Sequence, residues 1–375
     1  MTSLKRRVFI FIGTTAELIK LAPLIQELNK RKVKFIVIAS RQNDIRFDEF
    51  LPLIGTLDII YAVTPKSADP SIIQFAWWGI RTFFSLLIGL KSLFKGLNKS
   101  NSYFIVHGDT VSSLMGSLVA KIYGLTLVHI ESGLRSFHFF EPFPEELCRY
   151  FISLMADIHF CPNQWCVSNL KDVRGQKVNT KQNTLIEAFW TAIQTDSNNP
   201  IVEDIQRKSK PYYVLVVHRQ EHIFFAIKKM QKILSYIFSL IHKNITCVFL
   251  MHDQSSRFIT ALDLIIPSET KEKMIKIGRL PYGDFMKLLQ GSEFVITDGG
   301  SNQEELYYMG KPCLLLRKYT ERIEGLNENV LLSENNRSKI TRFINSYYTY
   351  NRPSIKNYIK PSGIIVDYLF NHEIS

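Results

Sequence analysis

Short apolar runs alternate with stretches of helical spacing along most of this chain, and no other feature constrains the fold as much. At the start, the β-rich run Arg7–Gly13 stops at a glycine, Ala16–Lys30 has helical spacing, and Lys34–Ala39 is a second strand-like run. Strands that are separated by helices pair in parallel, and the connection between them is right-handed. The sequence therefore predicts a parallel sheet flanked by helices.

The alternation pauses and then starts again, which predicts a second domain. Asp157–Pro162 closes the first sheet, the chain then turns polar and helical, and Gln194–Pro200 has the composition of a linker. A length of 375 residues also exceeds one ordinary core. We predict an α/β protein with one doubly wound domain over residues 1–195 and another over 205–350. A C-terminal helix at about 355–375 could pack back on the first domain.

The strands of the second domain are predicted from five apolar runs, which are Tyr212–Val217, Ile245–Met251, Met274–Ile277, Phe294–Thr297 and Cys313–Arg317. Helical segments lie between most of them, so the second sheet is also expected to be parallel. Two domains of this kind place a ligand in the cleft between them, and we expect the site there.

The charge balance restricts the partners. The chain carries 46 Lys and Arg against 34 Asp and Glu, a formal net charge of +12. Such a surplus suits nucleic acid, an anionic membrane surface or a phosphorylated small substrate. We expect no nucleic-acid partner, because no zinc-finger, RNA-recognition or long basic-run pattern accompanies the charge.

The five cysteines form no CxxC pair, so we expect reduced thiols. The apolar N-terminal run is too short for a secretion signal, so we expect a cytoplasmic location.

Residues 72–96 are unusually rich in aromatic and aliphatic side chains. Cations interrupt them too often for a transmembrane span. An amphipathic helix on the inner face of a membrane would place the cations on one side and the aromatics on the other. A crossover helix packed on the sheet would bury the aromatics, and the position between two predicted strands favours this second interpretation. The aromatics in question are Trp77, Trp78, Phe83 and Phe84.

Acidic residues follow two predicted strands at the point where each strand ends. Asp109 comes after Tyr103–His107, and Glu131 comes directly after Thr126–Ile130. A third, Glu145, follows a loop rich in aromatics and proline. Open α/β sheets bind ligands at the carboxyl ends of their strands. We therefore predict that these three carboxylates share a reacting centre.

Two further patterns lie in the second domain. Gly299, Gly300 and Ser301 follow a predicted strand and precede a helix, where close backbone approach and the helix N-terminus suit a diphosphate. His218 follows another strand and could exchange protons near neutral pH. Taken singly, a plain strand–helix turn explains the glycine pattern equally well, and a structural histidine is the better explanation of His218.

Seven short motifs occurring in one order remove that ambiguity. They are HGDT at His107–Thr110, HIESGLR at His129–Arg135, PEE at Pro144–Glu146, HRQE at His218–Glu221, GGSNQEE at Gly299–Glu305, GKP at Gly310–Pro312 and TER at Thr320–Arg322. With these motifs the chain resembles the non-hydrolysing UDP-N-acetylglucosamine 2-epimerases, from Gly13 to about Leu332. That family has the GT-B fold, in which two Rossmann-like domains face each other across a cleft.

The resemblance implies a UDP-sugar substrate, no cofactor and no metal. It assigns catalysis to Asp109, Glu131, Glu145 and His218. It assigns substrate binding to Lys20, Arg135, Arg219, Phe285, Gly299, Gly300, Ser301, Glu305 and Arg322. In this assignment Phe285 stacks on the uracil, the Gly299–Ser301 turn cradles the diphosphate, Glu305 holds the ribose and Arg322 neutralises phosphate charge.

The implied reaction inverts C2 of the sugar by anti-elimination of UDP and its re-addition. The product would be a UDP-N-acetylmannosamine-type precursor for surface polysaccharide, and the implied assembly is a homodimer. The chain departs from the family pattern at several phosphate-contacting positions, of which Thr15 in place of an arginine is the clearest. Two alternatives follow from these departures and from 72–96. They are a glycosyltransferase that uses a UDP-sugar with a lipid-linked acceptor, and a catalytically silent nucleotide-sugar binder.

Overall fold

Two parallel β-sheets, one in each half of the chain, carry the fold. The structure is a computed structural model that describes residues 7–40, 42, 45, 47–50, 54, 55, 57, 59–61, 72–139, 141–195, 199–209, 211–217, 227–241, 244–251, 266 and 268–371. The contacts between Cα atoms divide the chain into one unit of Met1–Ala188 with Tyr358–Ser375 and another of Phe189–Asn357. The division falls a few residues before the predicted linker, inside a helix.

In the first unit, the described residues form a seven-stranded sheet. Its strands are β1 (Val8–Ile12), β2 (Phe35–Ala39), β3 (Ile59–Tyr61), β4 (Tyr103–His107), β5 (Thr126–Ile130), β6 (Ile158–Cys161) and β7 (Gln176–Asn179). They are parallel and lie in the order β3-β2-β1-β4-β5-β6-β7. The order reverses between β1 and β4, and such a switch point leaves a ligand crevice at the carboxyl ends of both strands.

In the second unit, the described residues form a six-stranded sheet. Its strands are β8 (Tyr212–Val216), β9 (Thr246–Leu250), β10 (Met274–Ile277), β11 (Val295–Thr297), β12 (Cys313–Leu315) and β13 (Val330–Leu332). These strands are also parallel, in the order β10-β9-β8-β11-β12-β13, with the switch point between β8 and β11. The predicted fold class, α/β with two parallel sheets, is confirmed.

The helices that flank the sheets are numbered in chain order. They are α1 (Thr15–Lys30), α2 (Ile72–Gly89), α3 (Lys91–Phe94), α4 (Val111–Tyr123), α5 (Glu145–Met155), α6 (Gln164–Asn169), α7 (Leu185–Gln194), α8 (Pro200–Lys208), α9 (Ile227–Leu240), α10 (Ser268–Glu272), α11 (Tyr282–Gly291), α12 (Gly300–Met309), α13 (Arg337–Ser346) and α14 (Pro361–Asn371). Single 3₁₀ turns occur at Phe47–Glu49, Lys99–Asn101 and Tyr347–Tyr350.

The central strands are buried on both faces, as their composition requires. All five residues of β1 and of β8 are buried, and Val, Ile, Phe and Tyr side chains suit a strand that helices cover on both sides. Three strands were not predicted from the sequence, namely β3, β7 and β13. β3 and β13 have three residues each, and β7 is a polar edge strand with no fully buried residue. These three strands contain too few apolar residues to show the alternation that marks a strand in a sequence.

Helix α2 exposes part of its apolar surface. Trp78, Leu86 and other side chains on one face are buried, but Trp77 is 59% and Phe84 54% exposed on the opposite face. The exposed Arg81 lies on that same outward face. The alternative of an amphipathic helix with cations and aromatics on opposite sides does not describe α2, because apolar residues run all the way round the helix. The favoured interpretation, a crossover helix that buries its aromatics, holds for Trp78 but not for Trp77 and Phe84. Over the described part of the chain, no helix has the length and apolar character that crossing a bilayer requires.

The last helix, α14, belongs to the first unit. Its Ser362 donates to Glu187 through both the backbone N–H and the hydroxyl, each at 2.7 Å. Tyr103 of β4 donates to the carbonyl of Leu369 at 3.2 Å.

All five cysteines are buried, and none is in a disulfide.

Candidate active site

Glu131 lies immediately after β5, in a buried polar pocket of the first unit. Its backbone is left-handed, with φ +63°, and the residue is only 3% exposed. Nζ of Lys20, from α1, is 2.6 Å from Oε1 of Glu131. Nδ2 of Asn183 donates to the same oxygen at 2.5 Å. The predicted catalytic residue Glu131 and the predicted substrate-binding residue Lys20 are thus brought together in an ion pair.

Asp109 lies at the carboxyl end of β4, the strand next to β5. The guanidinium of Arg149, which is buried in α5, donates to Oδ2 of Asp109 and to Oε2 of Glu146. Glu146 also accepts from Nε of Arg135 at 2.6 Å. Arg149 therefore ties the end of β4 to α5, and buried Glu146 is the partner of both arginines.

Glu145, the third predicted carboxylate, is the first residue of α5 and is half-buried. Cys148 lies one turn further along this helix. Burial, followed by the nearby charges of Asp109 and Glu145, raises the pKa of Cys148 to about 12. The three predicted carboxylates thus come from the end of β4, the end of β5 and the start of α5, on one edge of the first sheet.

The first strand–helix turn is filled by the chain's own carboxylate. Glu17 accepts hydrogen bonds from the backbone N–H groups of Gly13 and Thr14, at 2.5 and 2.9 Å. The hydroxyls of Thr110 and Ser113 donate to its other oxygen at 2.7 and 2.8 Å. Burial raises the pKa of Glu17 despite these four bonds. Glu17 therefore joins the ends of β1 and β4 at the switch point.

Buried histidines lie behind this edge of the sheet. His129 of β5 contacts the carbonyl of Gly108 through Nε2 at 2.8 Å. Burial lowers the pKa of His129 to about 3, and it also lowers the pKa of His159 on β6. Both imidazoles are therefore neutral at physiological pH. Because burial sets their ionisation, they act as structural neutral donors or acceptors rather than as proton-exchanging groups.

In the second unit, the turn after β11 places Gly300 against an ion cluster. A Cβ atom at Gly300 would lie 2.6 Å from Oε1 of Glu321 and 2.7 Å from a terminal nitrogen of Arg322. Arg322 also donates from Nε to Glu304 at 2.9 Å. Only glycine fits here, since any side chain would displace the buried guanidinium.

Glu305 lies one turn into α12 and is 3% exposed. Its carboxylate accepts from the hydroxyl of Tyr282 at 3.0 Å and from Nδ2 of Asn302 at 2.8 Å. Burial and the adjacent Glu305 raise the pKa of Tyr282 well above its ordinary value, so the phenol remains a donor. These donors hold the carboxylate that is predicted to bind ribose.

The remaining predicted residues divide into two groups. Phe285 lies in α11 and is half-buried, Ser301 lies in the first turn of α12, and Gly299 is the N-cap of that helix. His218 and Arg219 lie outside the described residues. The roles of all these residues stay predictions.

Several functional candidates were missed by sequence reasoning, namely Asn183, Arg149, Glu146, Glu17 and Tyr282. Local signals existed for two of them: Glu17 follows Thr14 at capping-box spacing, and Asn183 precedes an apolar helix. No local signal marks Arg149, whose contact with Asp109 spans 40 positions. Among the described residues, no group of three or more His, Cys, Asp or Glu is arranged to hold a metal ion.

Comparison with known proteins gives the family. The family model described as UDP-N-acetylglucosamine 2-epimerase matches residues 82–362. A UDP-N-acetylglucosamine 2-epimerase of Bacillus subtilis is 28% identical over 336 residues, covering 87% of this chain and 83% of the relative. One from Methanococcus maripaludis is 28% identical over 360 residues, covering 92% and 94%.

A solved structure shows the same fold. The structure of S. aureus MnaA with UDP is 25% identical, has a TM-score of 0.82, and covers 98% of this chain and 97% of that one. The family model matches well over half of the residues. The resemblance inferred from seven motifs is thereby confirmed: the chain belongs to the UDP-N-acetylglucosamine 2-epimerase family.

Proposed function

We propose that this protein is a UDP-N-acetylglucosamine 2-epimerase that inverts C2 of its substrate through elimination and re-addition of UDP. Family membership supports the reaction class. The observation that supports the proposal is the edge of the first sheet that carries Asp109, Glu131 and Glu145, with Lys20 paired to Glu131 and Arg149 paired to Asp109. Proton removal and return at one carbon need this kind of carboxylate set.

The elimination step requires a base at C2 and a leaving group at C1. A carboxylate takes the C2 proton while the bond from C1 to the diphosphate oxygen breaks, which yields a 2-acetamidoglucal and UDP. The C2 proton is weakly acidic, so the base must be well placed and partly desolvated. Glu131, 3% exposed and fixed by two donors, meets both requirements.

The return step delivers a proton to the opposite face of C2 and the diphosphate back to C1. A second carboxyl group on the other side of the sugar, protonated at this point, supplies that proton, and in this proposal Asp109 or Glu145 does so, with His218 assisting. The base then loses the C2 proton to solvent and the donor takes one up, which restores both groups. Atoms and charge balance without a redox step, because UDP leaves and returns as the same anion. The proposed reaction needs no metal and no nicotinamide.

The second unit supplies the groups for the diphosphate. Gly299 is the N-cap of α12 and brings no side chain to the helix N-terminus, where the helix dipole favours an anion. Arg317 and Arg322 are buried near Gly300 and carry positive charge. Such groups stabilise the negative charge that develops on the departing UDP. Glu305 and Phe285 complete the proposed nucleoside contacts.

Incubation with UDP-N-acetylglucosamine in D2O, followed by NMR, tests the proposal. We expect deuterium at C2 and appearance of the C2 epimer. Glu131→Gln and Asp109→Asn each remove one carboxylate and are expected to lower exchange by at least about 10²-fold. Glu203→Gln, on the first turn of α8, is the matched control and should exchange normally. Full exchange in both site variants would refute the assignment of these carboxylates.

The proposal also covers the location, the product and the assembly of the enzyme. We place the enzyme in the cytoplasm, where it makes a UDP-N-acetylmannosamine-type precursor for surface polysaccharide, and we propose a homodimer. Exposed apolar side chains on the neighbouring helices α4 and α5 support self-association; they are Leu118, Ile122, Phe151 and Leu154. Sedimentation equilibrium tests this state, and a monomer at all concentrations would contradict it.

A second candidate is a glycosyltransferase with a lipid-linked acceptor, and one observation favours it. The outward face of α2 exposes Trp77, Ile80, Phe84 and Ile88, an apolar patch of the kind that contacts a membrane surface or another protein. This candidate predicts salt-sensitive binding to anionic vesicles and no C2 deuterium from UDP-N-acetylglucosamine alone. The silent binder differs from both, because it predicts UDP binding by calorimetry without turnover.

A further inference from the structure

Asn183 and Glu131 are 52 positions apart in the chain and touch in the folded protein. Both are only 3% exposed. Nδ2 of Asn183 is 2.5 Å from Oε1 of Glu131, and Nζ of Lys20 is 2.6 Å from the same oxygen. Oε1 of Glu131 therefore accepts one hydrogen bond from the neutral amide of Asn183 and one from the charged ammonium group of Lys20.

The orientation of the Asn183 amide follows from its other contacts. Oδ1 accepts the backbone N–H of Leu185 at 3.2 Å and the hydroxyl of Thr184 at 3.4 Å. Leu185 is the first residue of α7, so this oxygen satisfies a helix N–H that would otherwise lack a partner. A flipped amide would turn its NH2 toward that N–H and its oxygen toward a carboxylate, and both hydrogen bonds would be lost.

The other oxygen of Glu131 has different neighbours. Nδ1 of His107 is 4.0 Å from Oε2, and a Cβ atom at Gly108 would lie 3.2 Å from it. Lys20 and His107 are thus two titratable groups that face Glu131. Lys20 supplies positive charge through a flexible side chain, whereas Asn183 supplies a fixed direction, because its own amide is held by α7.

We infer that Asn183 is a positioning residue for the epimerase reaction, and that its amide holds Glu131 ionised and correctly aimed for proton transfer at C2. This inference deepens the proposed function and rests on it, since Glu131 is an acid/base group only in that reaction. A hydrogen bond to the charged form of an acid favours ionisation, so loss of the Asn183 donor raises the pKa of Glu131.

Substitution of Asn183 by serine separates the two contacts of the amide. Serine still caps a helix through its hydroxyl but is too short to reach Glu131. We expect Asn183→Ser to lower the kcat for C2 exchange about tenfold to a hundredfold, with KM changed less than about twofold. The acidic limb of the pH profile should move to higher pH. Asn183→Asp sets a second carboxylate against Glu131 and should cause a larger loss and a larger shift.

Asn336→Ser is the matched control. Asn336 also caps a helix, accepting the N–H of Lys339 at 3.2 Å, but it is exposed and lies at the start of α13. Its replacement should leave kcat and the pH profile unchanged. If Asn183→Ser exchanges C2 within about twofold of wild type with an unmoved pH profile, the positioning role is overturned.

A measurement without turnover distinguishes this inference from the proposed function. The 13C resonance of the Glu131 carboxyl, assigned by its loss in Glu131→Gln, reports the pKa of that group directly. Asn183→Ser should raise this pKa, and Asn336→Ser should not. An unchanged pKa in Asn183→Ser overturns the inference even in an active enzyme. A raised pKa in a protein that exchanges no C2 proton supports the contact and refutes the epimerase proposal instead.

Discussion

In both units a helix begins shortly after a central strand and a glycine. The two helix N-termini differ in whether a protein side chain caps them. In the first unit, Glu17 accepts from the N–H groups of Gly13 and Thr14 and completes a capping box with Thr14. In the second unit, Gly299 caps α12 without any side-chain hydrogen bond. The first turn is thus closed by a protein carboxylate, while the second remains suited to an external anion.

The buried ion pairs follow the same division. In the first unit, cations from other elements hold the carboxylates that are proposed to react, as Lys20 does for Glu131. In the second unit, carboxylates hold the cations that are proposed to bind phosphate, as Glu304 and Glu321 do for Arg322. The same type of contact therefore fixes a proposed acid/base group in one unit and a proposed anion-binding group in the other.

Glu17→Ala should have the largest effect on stability. It removes one buried acceptor that serves two N–H groups and two hydroxyls, and each buried donor left unsatisfied costs about 1–3 kcal/mol. We expect the free energy of unfolding to fall by roughly 3–5 kcal/mol, measured by urea denaturation. Glu17→Gln keeps an acceptor and should cost less. Equal losses in the two variants would contradict the acceptor role.

Acid should destabilise the first unit through His129. The pKa of His129 in the folded state is about 3, against 6.5 for the ordinary side chain. The unfolded chain therefore binds a proton that the folded protein does not, once the pH falls below the unfolded value. Stability should drop by about 1.4 kcal/mol per pH unit as the pH falls from 6.5 toward 3, and it should not change above that range.

The measurement is urea denaturation at a series of pH values. His129→Gln should flatten the acid slope, while His138→Gln, at an exposed position, should keep it. A wild-type slope in His129→Gln would show that this imidazole titrates normally in the folded protein.

Gly300→Ala tests the anion-binding turn. The added Cβ would lie within 2.7 Å of Arg322 and displace its guanidinium. Overpacking of this kind costs about 1–3 kcal/mol. We expect UDP affinity to fall about tenfold or more by calorimetry, while the C2-reacting edge of the first unit is unchanged. Gly79→Ala, in α2 with no atom within 4 Å of the new Cβ, is the control and should bind UDP as wild type does.

Thr14→Ala should have the smallest effect. It removes the side-chain bond from the N–H of Glu17 to Thr14, 3.3 Å long, but leaves the Glu17 carboxylate in place. Loss of a helix cap costs about 1 kcal/mol. Thermal unfolding should show a decrease of a few degrees. A loss as large as that of Glu17→Ala would mean that the hydroxyl, rather than the carboxylate, closes this turn.

Much of the fold follows from local patterns. The strands β1, β4, β5 and β8 are apolar and β-rich over their full length, and glycine, asparagine or threonine lies at the helix boundaries. These patterns were enough to predict two parallel sheets, whereas the strand order and the switch points came from the structure. β7 was missed because a polar edge strand has no apolar face to produce a pattern.

The position of the carboxylates was predictable from local patterns, because Asp109 and Glu131 follow buried strands and the carboxyl ends of parallel strands share an edge. The groups that hold these carboxylates were not predictable in this way. Asn183 reaches Glu131 across 52 positions, and Arg149 reaches Asp109 across 40. Periodicity and capping are local signals, whereas such a contact depends on how separate elements pack. The tertiary structure also decided that α2 exposes Trp77 and buries Trp78, since neighbouring apolar residues point in different directions on a helix.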